Sequence, residues 1–232
     1  MKRVSLFVGH YGSGKTNVAI NYALMLRKQN LPVVVADLDI VNPYFRTKDS
    51  LSELRSAGID FISSEYAGSN VDFPALPGEL YSLVDNTERY AVLDVGGDDR
   101  GALALGRYRD KIVEENNYDM FVVINRFRPL TKTPELLLGV MNEIETACNM
   151  KFTAIINNSN LGPITTAQDV ISGIEYTDEV RKLTGLPVAY TTMTDSVYRE
   201  LLAIDSESLD RERVGELFPI KLQSKIFEEV EV

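Results

Sequence analysis

Five runs of the chain are apolar with almost no polar alternation: Val4 to Val8, Leu31 to Asp37, Tyr90 to Val95, Met120 to Ile124 and Phe152 to Ile156. A strand with one wet face alternates apolar and polar residues, so continuous runs of this kind predict strands covered on both faces, as in a parallel sheet. Stretches of helical character separate them: Asn17 to Lys28, a short one around Leu51 to Ala57, one near Glu79 to Asp85, then Ala102 to Glu115 and Pro134 to Cys148. A weak strand falls at Asp60 to Ser63, and the end repeats the pattern with a helix near Ala167 to Leu183, a strand at Pro187 to Thr191, and helices near Ser196 to Ile204 and Leu217 to Val230. Strand-helix alternation is the mark of βαβ units with right-handed crossovers. The expected fold is therefore α/β, a single domain over residues 1–232 built as a doubly wound, mostly parallel sheet flanked by helices. Glu65 to Gly78, rich in Gly, Pro, Ser and Asn, reads as a mobile surface loop.

In an open parallel sheet, ligands bind beyond the carboxyl ends of the strands, so polar residues there become site candidates by position. The first strand ends in GHYGSGKT: Gly9, His10, Tyr11, Gly12, Ser13, Gly14, Lys15 and Thr16, followed by Asn17 at the start of a helix. This fits GxxxxGK(S/T), the P-loop pattern, in which glycines let backbone N–H groups close around phosphate, lysine reaches the outer phosphates and the hydroxyl serves Mg²⁺. The helix that follows points its positive dipole end at the anion. A plain glycine turn would account for the glycines but not for the Lys15-Thr16 pair.

Three further strand ends carry carboxylates or amides. Asp94 closes AVLDVGG, a position suited to holding Mg²⁺ through a coordinated water, and Gly97 completes DxxG, where a glycine lets a backbone N–H approach a terminal phosphate and move when it leaves. The competing reading has Asp94 capping a helix near Gly101. Asp37 and Asp39 alternate at the end of VVVADLD, so both can serve a metal or orient an attacking water; a solvated turn is the plainer alternative. Asn157, Asn158 and Asn160 lie in TAIINNSNLG, where asparagine also simply makes turns. Arg126, Arg128 and Pro129, in INRFRPLT, sit beyond another strand, as nucleotide contacts, partner contacts or solvated loop.

Charge narrows the partners. With 24 basic against 34 acidic residues, a net charge of −10 argues against nucleic acid and anionic membranes, which need clustered Lys and Arg. A single cysteine, Cys148, allows no internal disulfide and holds no zinc by itself; it reads as a small buried helix residue. The apolar run after the basic start is too short for a signal peptide and none is long enough to cross a bilayer, so a cytoplasmic location is expected.

Taken together, GHYGSGKT, VVVADLDIVNP and YAVLDVGGDD resemble the MinD/ParA and CobQ/CobB nucleotide-binding family of the SIMIBI class of P-loop NTPases. The resemblance implies a stand-alone ATPase binding ATP with Mg²⁺, pairing as a nucleotide-dependent homodimer and driving a protein partner, including one that matures a metallocofactor enzyme. It places Lys15 and Thr16 on phosphate and Mg²⁺, Asp39 on the hydrolytic water and at the metal, and Asp94 as the Walker B carboxylate. It also places Asn157, Asn158 and Asn160 where relatives read the base. Written N-x-x-N, the stretch lacks the aspartate that accepts from guanine, which favours adenine. One departure matters: His10 stands where relatives with the KGGxGKT loop carry a lysine that reaches the partner's phosphates, and Arg46 is a second candidate for that missing cation. Two other functions fit the same motifs. One is an ATP-dependent small-molecule ligase or kinase related to cobyrinic acid a,c-diamide synthase, and the other is a nucleotide-binding module without turnover.

Overall fold

The computed structural model describes residues 1–38, 48–63, 83, 85–97, 99–204 and 209–223. Their secondary structure runs β1 (Val4–Val8), α1 (Lys15–Lys28), β2 (Val33–Leu38), α2 (Lys48–Ser56), β3 (Asp60–Ser63), β4 (Tyr90–Val95), α3 (Asp99–Gly106) and α4 (Arg109–Glu115). It continues with β5 (Tyr118–Ile124), α5 (Pro134–Cys148), β6 (Ala154–Asn157), α6 (Ala167–Thr184), β7 (Val188–Met193), α7 (Asp195–Ile204), α8 (Arg211–Val214) and β8 (Glu216–Pro219). The strands form one sheet in the order β3-β2-β4-β1-β5-β6-β7-β8, and each neighbouring pair is parallel. Every strand thus sends its carboxyl end to the same edge, where the candidate residues gather.

The apolar runs behave as their composition demands. Side chains alternate across the sheet, so Val4, Leu6 and Val8 enter a core shared with Leu105, Ile112, Leu137 and Met141 of α3, α4 and α5. Phe7, Val35 and Val92 point the other way, into a core closed by Val18, Ala19, Tyr22 and Leu26 of α1. Each fully buried Val, Leu or Phe contributes about 1.5–3 kcal/mol, which is why β1, sandwiched on both faces, fixes the register of its neighbours. Local signals set the helix ends: Thr133 caps α5 through its side chain and Pro134 takes the first turn, while Thr166 and Asp169 form a capping box on α6, which stops at Gly185 in the left-handed region.

Two expectations change. The single helix expected over Ala102 to Glu115 is two, α3 and α4, interrupted at Arg107 and Tyr108. Tyr108 is buried in the core, and its backbone N–H returns to the Leu105 carbonyl at 2.9 Å, so packing of the ring and the weak helix former Gly106 together break the helix there. The helix expected over Leu217 to Val230 gives way over its first residues to β8, which adds to β7 with Leu217 opposite Thr191. Edge pairing along the sheet outweighs the weak helical preference there. The expected loop Glu65 to Gly78, the motif residue Asp39 and Arg46 lie outside the described residues, as does most of the helix expected near Glu79.

At the edge opposite the P-loop, Arg3 is buried. Its Nη1 donates to the carbonyls of Leu83, Asn86 and Arg89 at 2.9, 3.3 and 3.2 Å, and its other nitrogens pair with Glu115. Cys148 is also buried, at the end of α5, where burial pushes its thiol pKa up.

Candidate nucleotide site

The segment from Gly9 to Thr16 turns tightly between β1 and α1. Ser13 N–H donates to the His10 carbonyl at 3.0 Å, and Gly12 and Gly14 hold φ of +80° and +84°, a region that L side chains rarely adopt. Close approach explains two other glycines. A Cβ on Gly9 would lie 2.4 Å from the Val123 carbonyl oxygen, and one on Gly97 would lie 2.2 Å from the Gly9 carbonyl oxygen. The strand end of β4 is therefore in backbone contact with the loop.

Beneath the loop, α1 begins at Lys15, two residues earlier than its sequence suggests, so Lys15 and Thr16 form its first turn. That turn carries no acidic residue and no side-chain cap, which leaves its N–H groups and dipole suited to an anion. Lys15 and Thr16 are both buried. The Thr16 hydroxyl donates to Asp94 Oδ2, and Asp94 is completely buried. This bond, together with the start of α3 at Asp99, removes the helix-cap reading of Asp94.

Asp37 is opposite Asp94 in the β2–β4 register, and the side chains of paired residues in parallel strands point the same way about 4.8 Å apart. Two buried carboxylates this close are favoured by positive charge nearby, and Asp94 is bonded to Thr16 in the first turn of α1. Among the described residues no group of three or more His, Cys, Asp or Glu forms a metal cage. A hydroxyl and one or two carboxylates are instead the sparse hard-oxygen set that Mg²⁺ accepts, since it keeps most of its own waters. The donor chemistry fits the ion.

The asparagine stretch divides. Asn158 Nδ2 donates to the Ser13 carbonyl at 2.6 Å while its Oδ1 accepts from the Thr192 hydroxyl at 2.6 Å, so β6 and β7 both brace the loop. Asn157 instead faces α6, its Oδ1 accepting from Ser159 N–H at 3.1 Å and lying 3.1 Å from where a Cβ on Gly173 would stand. Asn160 donates to the Asn158 carbonyl at 2.7 Å and accepts from Gly162 N–H at 3.0 Å, which makes it a turn residue beside the site.

The remaining candidates form the rim. Tyr11 is exposed at the loop tip, and His10, half-buried, has Nδ1 3.1 Å from the Tyr11 carbonyl oxygen. Asn17 Oδ1 accepts from Gln223 N–H at 3.2 Å, and Asn21 grips Lys221 through both its N–H and its carbonyl, tying the chain after β8 to α1. Two site neighbours had no signal beyond position in the sequence. Asn125 accepts from Phe127 N–H at 3.1 Å and donates to the Asn160 carbonyl at 3.0 Å, joining the turns after β5 and β6, and Thr192 carries the second bond to Asn158.

A parallel sheet whose first crossover is a glycine loop with lysine and threonine, backed by strand-end aspartates, defines a P-loop NTPase fold of the SIMIBI class. The profile of the CobQ/CobB/MinD/ParA nucleotide-binding domain matches residues 9–183, and the chain belongs to that family. No curated protein matches it by sequence. Among solved structures it is similar to chloroplast FtsY from Physcomitrella patens, at 16% identity and TM-score 0.56 over 82% of this chain and 58% of that one. It is also similar to the signal recognition particle receptor FtsY from Elizabethkingia anophelis, at 17% identity and TM-score 0.52 over 84% and 58%. A nucleotide-binding protein from Archaeoglobus fulgidus in complex with ADP matches 91% of this chain and 90% of its own, at 10% identity and TM-score 0.46. The chain spans less than two thirds of the FtsY chains. It is a nucleotide-binding domain, and among its described residues no helix is long and apolar enough to cross a membrane.

Proposed function

We propose that the protein is a cytoplasmic, Mg²⁺-dependent ATPase that acts as a nucleotide-controlled switch on a protein partner. The observation that carries this reading is the buried hydrogen bond from Thr16 to Asp94 under the glycine loop. It joins the hydroxyl that would ligate Mg²⁺ to the carboxylate that would hold one of its waters. Mg²⁺, when bound, neutralises charge developing on the phosphate oxygens. The loop N–H groups and Lys15 hold the phosphates, and Asp37 adds a second carboxylate beside Asp94. Asp39, which the family resemblance puts on the attacking water, acts by orientation rather than as a strong base.

Contact between Gly97 and Gly9 supports the switch. A backbone N–H at this position can follow the terminal phosphate, and loss of that phosphate frees the segment after β4 to move. In this reading ATP binding pairs two copies of the chain and remodels the partner, a metallocofactor enzyme or its maturation factor. Adenine is favoured because the asparagine turn after β6 has no carboxylate to accept from the two guanine N–H groups.

Calorimetry with ATP and GTP in magnesium buffer, followed by phosphate-release and gel-filtration measurements, tests the proposal. ATP binding, slow release of phosphate and an ATP-dependent increase in size, strongest in Asp39→Ala, are expected. Binding without phosphate release would leave a nucleotide-binding module. No heat from either triphosphate would overturn the reading.

A further inference from the structure

Arg128 lies in the turn after β5, and its Nε donates to the Gly12 carbonyl at 2.7 Å. The lack of a side chain on Gly12 makes this contact possible, because a Cβ there would meet Arg128 Nε, Cδ and Cζ at 3.2, 3.4 and 3.5 Å. The guanidinium end of the side chain is thus laid against the bare loop backbone. The rest of Arg128 is exposed, and among the described residues its two Nη groups make no hydrogen bond to protein.

The turn that carries it is built to hold it there. Asn125 accepts from Phe127 N–H through Oδ1 and from Arg128 N–H through its carbonyl, both at 3.1 Å, and that carbonyl also takes the Thr131 hydroxyl at 3.0 Å. Arg126 anchors the base of the turn to the Ser172 carbonyl at 2.7 Å. The arginine therefore reaches the loop with part of its ordering cost already met by the fold.

Topology then says which part of a ligand it meets. β1 lies between β4 and β5, so the residues placed for metal and terminal phosphate, Asp94 and Gly97, flank the loop on one side. Arg128 flanks it on the other, beside the Asn158 and Asn160 turn of β6. A nucleotide whose triphosphate follows the loop toward Asp94 has its nucleoside on the Arg128 side. A planar, weakly hydrated cation held to the loop backbone by its Nε edge and otherwise exposed offers a stacking surface to an aromatic ring.

On the strength of the nucleotide-switch reading above, we infer that Arg128 is the platform on which the nucleobase rests. It binds the face of the ring, so it serves adenine and guanine alike. Stacking of this kind does not read hydrogen-bonding edges.

The test is calorimetric titration of the wild type, Arg128→Ala and Arg128→Lys with Mg-ATP, Mg-ADP and Mg-tripolyphosphate. Arg128→Ala should weaken ATP and ADP equally, by about tenfold, as expected for loss of one base-stacking contact. Tripolyphosphate, which has no base, should bind within about twofold of wild type. Arg128→Lys keeps the charge without the plane and should resemble Arg128→Ala. Parallel loss of tripolyphosphate would mean that Arg128 grips phosphate or props the loop, and restored nucleotide binding in Arg128→Lys would mean a point charge; either overturns the inference, as does unchanged ATP affinity. A wild type that binds tripolyphosphate but no nucleotide would instead reject the ATPase reading.

Discussion

Thr16 donates its hydroxyl to Asp94 across 78 positions of sequence, joining the first turn of α1 to the end of β4. Thr16→Val keeps the shape of the side chain and removes the donor. We expect triphosphate affinity in magnesium buffer to fall at least about tenfold, the equivalent of one charge-assisted hydrogen bond, and affinity in EDTA to change little. Titrations with and without metal provide the check; equal losses in both would separate Thr16 from the ion.

Lys15 is buried at the helix start, where the proposed function puts the outer phosphates. Wild type at an ATP concentration of about 100 times Kd should gain about 2.7 kcal/mol, read as a rise of several degrees in melting temperature. Lys15→Ala should abolish that rise while leaving the unliganded protein folded. An ATP-dependent shift that survives in Lys15→Ala would reject the phosphate assignment of the loop.

Gly14 combines a φ of +84° with a Cβ position 2.2 Å from Asn158 Nδ2. Gly14→Ala must therefore strain the backbone, at about 1–3 kcal/mol, and displace the amide that braces the Ser13 carbonyl. Asn158→Ala removes the same brace without the strain. Both variants should lose ATP binding, and Gly14→Ala, which adds backbone strain to the lost brace, should show the larger drop in unliganded stability by thermal melting.

Away from the site, Asp178 on α6 bonds Arg181 Nε at 2.9 Å and Lys182 Nζ at 2.8 Å, with Arg213 of α8 at 3.6 Å. Burial pushes its carboxyl pKa up, but the hydrogen bonds from Lys182 and Arg181 outweigh that and hold it below the usual carboxylate range. A depressed native pKa gives stability that is complete above the unfolded value, about 3.9, and is lost as pH falls through the native one. Asp178→Asn should lower the melting temperature by about 3–6 °C at pH 7, for a loss of about 1.5 kcal/mol. The gap between variant and wild type should close as pH drops below about 4; a gap that stays constant to pH 3 would show that the charge is irrelevant.

Much of this molecule is written locally. Apolar runs such as Val4 to Val8 and Val33 to Leu38 have no polar face, so they must be central strands, and GHYGSGKT, lying between a strand and a helix, reads as a phosphate loop through its glycines together with the Lys15-Thr16 pair. Boundaries set by nearby residues, such as Pro134 to Cys148, follow directly from the sequence. What the sequence leaves open is every relationship that depends on strand order. Gln223 meets α1 through Asn17, Arg3 is buried against carbonyls from Leu83 to Arg89, and Asn158 rather than Asn157 reaches Ser13. Even β8 exists only because β7 offers it an edge. Periodicity and motifs report on neighbours a few residues apart, whereas packing decides which of two adjacent asparagines faces the loop and which faces a helix, because a strand turns consecutive side chains to opposite sides and only the assembled sheet gives those sides their meaning.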